Sequence, residues 1–199
     1  MPEISSFLFL PPKEISDKVG HISEPSNSKQ RLESSTSYHI FTPKTTYHSF
    51  VGGMVEFIYG FYGVNVFDRN RPGQFDSVLS TANVIKEAIS NGMCHGNREA
   101  VVLGLFLGKE GACYGFQDFG EYFKRKEVKV AWESRNKDLP FFRDNHNPPI
   151  IVGGCASGMG FGISLIFENS EVYVDNSLGV LYCMQMKNRI IPQKGLLKG

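Results

Sequence analysis

The sequence lacks paired cysteines. Its cysteines are widely scattered, and none forms a Cys-x-x-Cys pair: Cys94, Cys113, Cys155 and Cys183. Zinc sites and disulfide frameworks need cysteines at closer or more regular spacing. We therefore expect neither kind of site, and we expect the thiols to stay reduced in a cytoplasmic protein.

An excess of positive charge and a long apolar run are also missing. Lys and Arg total 21 against 20 Asp and Glu, so no basic field would recruit nucleic acid or anionic lipid. No run of about twenty apolar residues could form a membrane span. The apolar residues 7–10 are too few for a signal peptide and stop at Pro11-Pro12. We expect partners to be neither nucleic acid nor membrane.

The composition that remains is that of one globular domain. With 199 residues, 41% hydrophobic content and 16 Phe, the chain can bury one core. Residues 1–36 are rich in Pro and Ser, which predicts a flexible N-terminal tail. The apolar residues 7–10 leave a docking arm open as the alternative. We predict the domain over 37–187 and a C-terminal tail over 188–199.

Periodicity predicts an α+β fold. Residues 38–41 read as an edge strand, and helical spacing appears over 50–58 and again over 75–93. Two hairpins follow, over 101–119 and 171–186, each around a glycine-containing turn. We predict a two-layer sandwich, with a mixed, mostly antiparallel sheet and helices on one face.

The second helix carries a polar row. Glu87, Asn91 and His95 lie at i, i+4 and i+8, roughly opposite an apolar row that comprises Val78, Ala82, Ile85, Ile89 and Met93. Asn and Gly each cost about 0.5–1 kcal/mol inside a helix relative to Ala, so Asn91-Gly92 is unusual there. It indicates either a functional requirement or simply the end of an amphipathic helix. The pattern leaves both interpretations open.

Two further motifs lie downstream. Five glycines within 153–162 lead into an apolar, helix-like run, and such a loop can bring backbone N–H groups up to phosphate. Asp118 ends a strand-like run and is followed by Gly120. A carboxylate only accepts hydrogen bonds, which suits an exocyclic amine such as that of adenine.

In this order, Glu-x-x-x-Asn…His-Gly, Asp-x-Gly and Ser-Gly-Met-Gly-Phe resemble the N box and the two glycine boxes of the Bergerat-fold ATPases, the superfamily of gyrase, histidine kinases and mismatch-repair ATPases. The closest resemblance, over 38–187, is to the small bacterial anti-sigma-factor serine kinases. It implies a histidine-kinase-like domain with ATP and Mg²⁺ as cofactors. It also implies a protein serine kinase that regulates a partner, a sigma factor or an anti-anti-sigma-like protein. Whether the chain forms a homodimer stays open.

The resemblance implies a role for each motif residue. Glu87 matches the general base or the group that orients the attacking hydroxyl, and Asn91 matches the magnesium ligand. Asp118 matches the adenine-binding carboxylate, with Gly120 beside it. His95 is given no catalytic role. The residues that match the phosphate-binding loop are Gly158, Met159, Gly160, Phe161 and Gly162.

Residues 121–154 separate the two glycine boxes and combine a charged run with a Pro-rich stretch. A connection this long is uncommon in a compact domain unless it is mobile or functional. The resemblance implies that it is the ATP lid. An ordinary solvated helix with Trp132 packed down is the alternative, and one segment can be both.

Three positions depart from the family pattern. Tyr122 stands where the first glycine box has its second glycine, and Val180 and Leu181 stand where the last strand has a Thr after its Gly. No Arg follows Phe50 in the first helix. These departures favour an alternative function, a non-catalytic nucleotide-responsive switch or interaction protein on the same fold.

A Rossmann dinucleotide-binding unit is the second alternative. Residues 150–158 look like a strand entering a glycine turn, and Asp175 follows about twenty residues later, as a ribose-binding acid would. Only 24 residues follow Asp175, too few for the remaining βαβ units.

Overall fold

A five-stranded sheet organises the part of the chain that the computed structural model describes, residues 8–42, 47–68, 73–95, 100–118, 150–152, 155–157, 161–175 and 177–191. The strands there are β1 (Ser35–Phe41), β2 (Val101–Gly108), β3 (Gly111–Gln117), β4 (Ile150–Val152), β5 (Cys155–Ser157), β6 (Glu171–Asp175) and β7 (Val180–Met186). The sheet has the order β1-β2-β3-β7-β6, while β4 and β5 pair only with each other. The helices are α1 (Lys13–Val19), α2 (Ser28–Glu33), α3 (Tyr47–Phe61), α4 (Gln74–His95), α5 (Phe161–Asn169) and α6 (Lys187–Ile190).

Both predicted hairpins are confirmed. The first, β2 with β3, closes where Gly108 faces Gly111, and the second, β6 with β7, closes where Asp175 faces Val180. The edge position of β1 is confirmed as well. The expectation of a mixed sheet was wrong for the strands that the structure describes, because each of their pairings is antiparallel.

Strand alternation divides the core into two layers. In β2, Leu103 and Leu105 face the cluster formed with α3 and α4, whereas Val102 and Phe106 face the opposite side. We call these the inner face and the outer face. Each fully buried Leu, Ile or Phe contributes about 1.5–3 kcal/mol, so this alternation fixes the register of the sheet. The predicted helices over 50–58 and 75–93 are confirmed as parts of α3 and α4.

A buried glutamine on the inner face ties the helices to the sheet. The Oε1 atom of Gln185 in β7 accepts hydrogen bonds from Thr81 Oγ1 of α4 at 3.0 Å and from the Tyr114 hydroxyl of β3 at 2.9 Å. Its Nε2 donates to the carbonyl of Asn169, the last residue of α5, at 2.9 Å. Four elements therefore share one side chain, which fixes how α4 and α5 lie on the sheet.

The N-terminal region covers the outer face. Phe9, Ile15 and Val19 are buried in one cluster with side chains of β2, β3 and β7. The prediction of a flexible tail over 1–36 was therefore wrong for residues 8–21, which pack on the sheet, and the prediction of helices on one face was wrong for α1. The C-terminal tail begins later than predicted, because Ile190 is fully buried at the end of α6. Residues 1–7 and 192–199 lie outside the described residues.

Two glycines on neighbouring strands make room for Phe9. Gly104 and Gly115 are direct partners in the register of β2 and β3. A Cβ atom at Gly115 would lie 2.4 Å from Phe9 Cε2, and one at Gly104 would lie 3.1 Å from the same atom. We call this recess the glycine notch. The Phe9 ring fills it, so a side chain on Gly115 would displace the N-terminal segment.

His21 is a buried residue of the same N-terminal region. Its Nε2 atom lies 2.7 Å from Thr36 Oγ1, and its ring packs edge-on against Phe106. Burial lowers the pKa of His21 below its usual 6.5. The unfolded chain therefore takes up a proton more readily than the folded chain as the pH falls below about 6.5, so acid favours unfolding.

We predict that His21→Gln reduces the loss of stability on acidification. Urea unfolding at about pH 7.5 and about pH 5.5 gives the free energy of unfolding at each pH. The wild type should lose more of that free energy than the variant over this interval. Equal losses would show that the pKa of His21 does not differ between the folded and unfolded states.

Candidate functional site

Helix α4 continues past the Asn-Gly pair. It extends from Gln74 to His95, so Asn91 and Gly92 lie inside it. The interpretation of Asn91-Gly92 as the helix end was therefore wrong. An unfavourable pair that the helix retains calls for a packing or functional reason.

Gly92 supplies the packing reason. The residue is buried, and a Cβ atom there would lie 2.7 Å from Val101 Cγ2 and 3.2 Å from Asp118 Cβ. Helix α4 thus rests directly on the first residue of β2 and on the residue that follows β3. Only a glycine allows the helix and the sheet to approach this closely without a shift.

Asp118 lies at this point of contact. It directly follows β3, and its side chain is only 2% exposed. A buried carboxylate has lost its hydration, which makes it costly unless polar groups surround it. The structure therefore brings Asp118 beside the Asn91-Gly92 turn of α4.

The amide of Asn91 is partly unsatisfied. Its Nδ2 atom is buried and has no hydrogen-bond partner among the residues that the structure describes. Nearly all buried polar side-chain atoms in proteins are paired, so this amide has unused capacity for a ligand or a neighbour. A 180° rotation of the amide exchanges its oxygen and its nitrogen, so either atom can face a ligand.

The polar row faces α5. Glu87 and Asn91 follow Ser80 by seven and eleven residues, which places each within about 20° of Ser80 around the helix, on opposite sides of it. Ser80 Oγ donates to Asn169 Oδ1 of α5 at 2.8 Å. Because Ser80 contacts α5, the side of α4 that carries Glu87 and Asn91 is also the side next to α5.

The structure describes the other predicted residues only in part. Phe161 and Gly162 form the first turn of α5, and their backbone alone is described. Gly120, Gly158, Met159 and Gly160 lie outside the described residues, as does most of the predicted lid over 121–154. Strand β5, which precedes the glycine loop, lies against α4. Residues 155–157 therefore lie beside this helix.

The two apolar replacements in β7 face opposite sides. Val180 is fully buried in the outer cluster, and Leu181 packs partly against the inner cluster. Neither side chain offers a hydroxyl at the start of the strand. Motif spacing did not identify Gly92 and Val101 as residues that shape the site, although the unusual Asn-Gly pair was a signal for Gly92.

No family model matches the chain, and no curated protein sequence matches it. Over the described ranges, no three His, Cys, Asp or Glu side chains group into a metal cluster. None of the helices in these ranges combines the length and apolarity needed to span a membrane.

We predict that Gly92→Ala destabilises the fold. The added methyl would overlap Val101, and overpacking of this kind costs about 1–3 kcal/mol. The matched control is Gly53→Ala in α3, where a Cβ meets no atom within 4 Å and Ala should be neutral or stabilising. Urea unfolding of both variants measures the difference, and the double variant Gly92→Ala/Val101→Ala should recover part of the loss. Equal behaviour of the two glycine variants would contradict the close packing.

Proposed function

We propose that this chain is an ATP- and magnesium-binding domain of the Bergerat type, acting as an anti-sigma-factor-type serine kinase on a regulatory protein partner. The observation that carries the proposal is the contact of α4 with the sheet at Gly92. It joins the helix that bears Glu87 and Asn91 to the strand end that bears Asp118. The contact thus joins the helix motif that contains Glu87 and Asn91 to Asp118, which follows 27 residues after Asn91.

Asp118 would recognise the base of the nucleotide. Its carboxylate accepts hydrogen bonds only, so it complements the exocyclic amine of adenine and opposes a carbonyl at that position. Its burial makes the interaction stronger than it would be in water. A purine that presents a carbonyl oxygen there would leave two acceptors facing each other, which disfavours its binding.

The polar row of α4 would bind the magnesium ion on the phosphates and accept the proton of the attacking hydroxyl. An amide oxygen of Asn91 suits Mg²⁺, which commonly binds through one or two protein groups together with phosphate oxygens and water. Bound magnesium would neutralise charge on the phosphate chain. Glu87 is half-buried on the same side of the helix and can accept the proton of an attacking hydroxyl. The first turn of α5, directly after the glycine loop, offers backbone N–H groups to phosphate.

One observation favours the second candidate function, a nucleotide-responsive switch without turnover. Val180 and Leu181 both pack into apolar clusters, so the start of β7 supplies no hydroxyl near Asp118. The Rossmann alternative requires parallel strands. Each strand pairing in the described ranges is antiparallel, so this alternative receives no support.

The first test is calorimetric titration of wild type, Asp118→Ala and Asp175→Ala with magnesium-ATP, magnesium-ADP and NAD. Wild type should bind magnesium-ATP and magnesium-ADP more tightly than it binds NAD. Loss of the acceptor in Asp118→Ala should weaken binding by about 1–3 kcal/mol, or about 5–150-fold. Asp175 ends β6 and is the acid that a Rossmann site would use, so its variant should bind as wild type does. The reverse order of effects would refute the proposed pose.

The second test separates chemistry from binding. Glu87→Gln should keep nucleotide affinity and lower phosphate release or transfer by about 10²–10⁴-fold, because a general base acts in the transition state. Asn91→Ala should lose the part of the affinity that depends on magnesium. Asn83→Ala, on the same helix, is the matched control and should change neither. Nucleotide binding by wild type without phosphate release or partner phosphorylation would favour the switch over the kinase.

A further inference from the structure

We propose that residues 8–21, which we call the strap, regulate the candidate nucleotide site by clamping the strand end that carries Asp118 from the outer face of the sheet. This inference rests on the proposed function for the ligand at that site. The contacts that define the strap are independent of it.

The first residues of the strap, 8–10, form what we call its upper end. This end is held by the Phe9 side chain and by two carbonyl groups. Phe9 occupies the glycine notch, with ring centroids 5.8 Å from Tyr38 and 6.0 Å from Tyr182. The Tyr38 hydroxyl donates to the Phe9 carbonyl, and the Tyr182 hydroxyl donates to the Leu10 carbonyl at 2.9 Å. The two tyrosines come from β1 and β7, so the strap crosses the middle of the sheet.

The last residues of the strap, 19–21, form what we call its lower end. This end is held by backbone contacts at the β2–β3 turn. A Cβ atom at Gly108 would lie 2.3 Å from the Val19 carbonyl oxygen, and the Glu110 N–H donates to that same oxygen at 3.0 Å. Gly20 follows with φ of 68°, a conformation that favours glycine. This end is therefore fixed by chain geometry, whereas the upper end depends on the seating of Phe9.

The strap contacts the strand that ends in the site. Gly115, the floor of the notch, is three residues before Asp118. Val102 and Val180 are the register partners of Gln117, and both belong to the buried cluster that contains Phe9. Gly92 presses on Asp118 from the inner face. The end of β3 thus has contacts on both sides, and loss of Phe9 would leave an unfilled recess at Gly115 on the outer side.

The upper end also presents a surface by which it could be withdrawn. Leu8 and Leu10 are 54% and 52% exposed on either side of the buried Phe9. Phe9 is the one buried side chain of residues 8–10, so we infer that this end of the strap alternates between a seated and a released state. If seating favours nucleotide binding, nucleotide must favour seating by the same factor, because coupling between sites is reciprocal.

The experiment measures both directions of this coupling in the full chain. Phe9→Ala should weaken magnesium-ATP binding by at least about fivefold, the lower end of ordinary allosteric couplings. It should also speed amide exchange at residues 115–118. In wild type, magnesium-ATP should slow exchange across residues 9–21. Leu10→Ser, an exposed position on the same segment, should leave affinity and exchange unchanged.

A gentler pair of variants serves if Phe9→Ala does not fold. The double variant Tyr38→Phe/Tyr182→Phe removes only the two hydroxyls that hold the strap, and Tyr173→Phe removes a hydroxyl that makes neither of these bonds. The double variant should weaken magnesium-ATP binding, and the control should not. Unchanged affinity in a folded Phe9 or double-tyrosine variant would overturn the strap proposal, as would strap exchange that nucleotide does not slow.

The outcomes also separate the two proposals. If wild type binds no nucleotide, the proposed function fails, and the strap is then judged by exchange alone. Faster exchange at 115–118 in Phe9→Ala would preserve the clamp as a property of the sheet. Unchanged exchange there would overturn it.

Discussion

The close approach of α4 to the sheet at Gly92 is the contact on which the candidate site depends. It places the helix against Val101 and Asp118 with no side chain between them. A methyl group at this position would push the last turns of the helix outward and move Asn91 away from Asp118. The glycine lowers helix propensity by about 1 kcal/mol, and the close packing of helix and sheet offsets that loss.

The remainder of the structure holds this contact in place from two directions. On the inner face, Gln185 joins α4, β3 and the end of α5 through one buried amide, so the helices cannot slide independently of the sheet. On the outer face, Phe9 fills the notch between β2 and β3. Both sets of contacts meet β3 at neighbouring residues, Tyr114 and Gly115, so the strand that leads to Asp118 is held on both faces near its middle.

Much of the inner layer could be predicted from sequence, because its signals are local. The 3.6-residue period marked α3 and α4, and glycine-containing turns between apolar runs marked both hairpins. The motif residues Asn91 and Asp118 were named from spacing and order, and the structure places them at the same end of the sheet. The N-terminal region was mistaken for a tail because its polar composition hides three inward-facing side chains, Phe9, Ile15 and Val19, most of whose partners lie far along the chain in β2, β3 and β7.

The sequence by itself determined the main elements of the inner layer, their apolar faces and the chemistry that the polar residues can offer, since each follows from neighbours within a few turns of chain. The tertiary structure alone decided which elements meet. No local pattern states that Gly92 will touch Val101 and Asp118, or that Gly104 and Gly115 will form a recess for Phe9. Both facts depend on the register of strands and on the depth at which a helix packs. These are properties of contacts between distant residues. The absence of a Cβ atom matters only where another atom packs into the space that it would occupy.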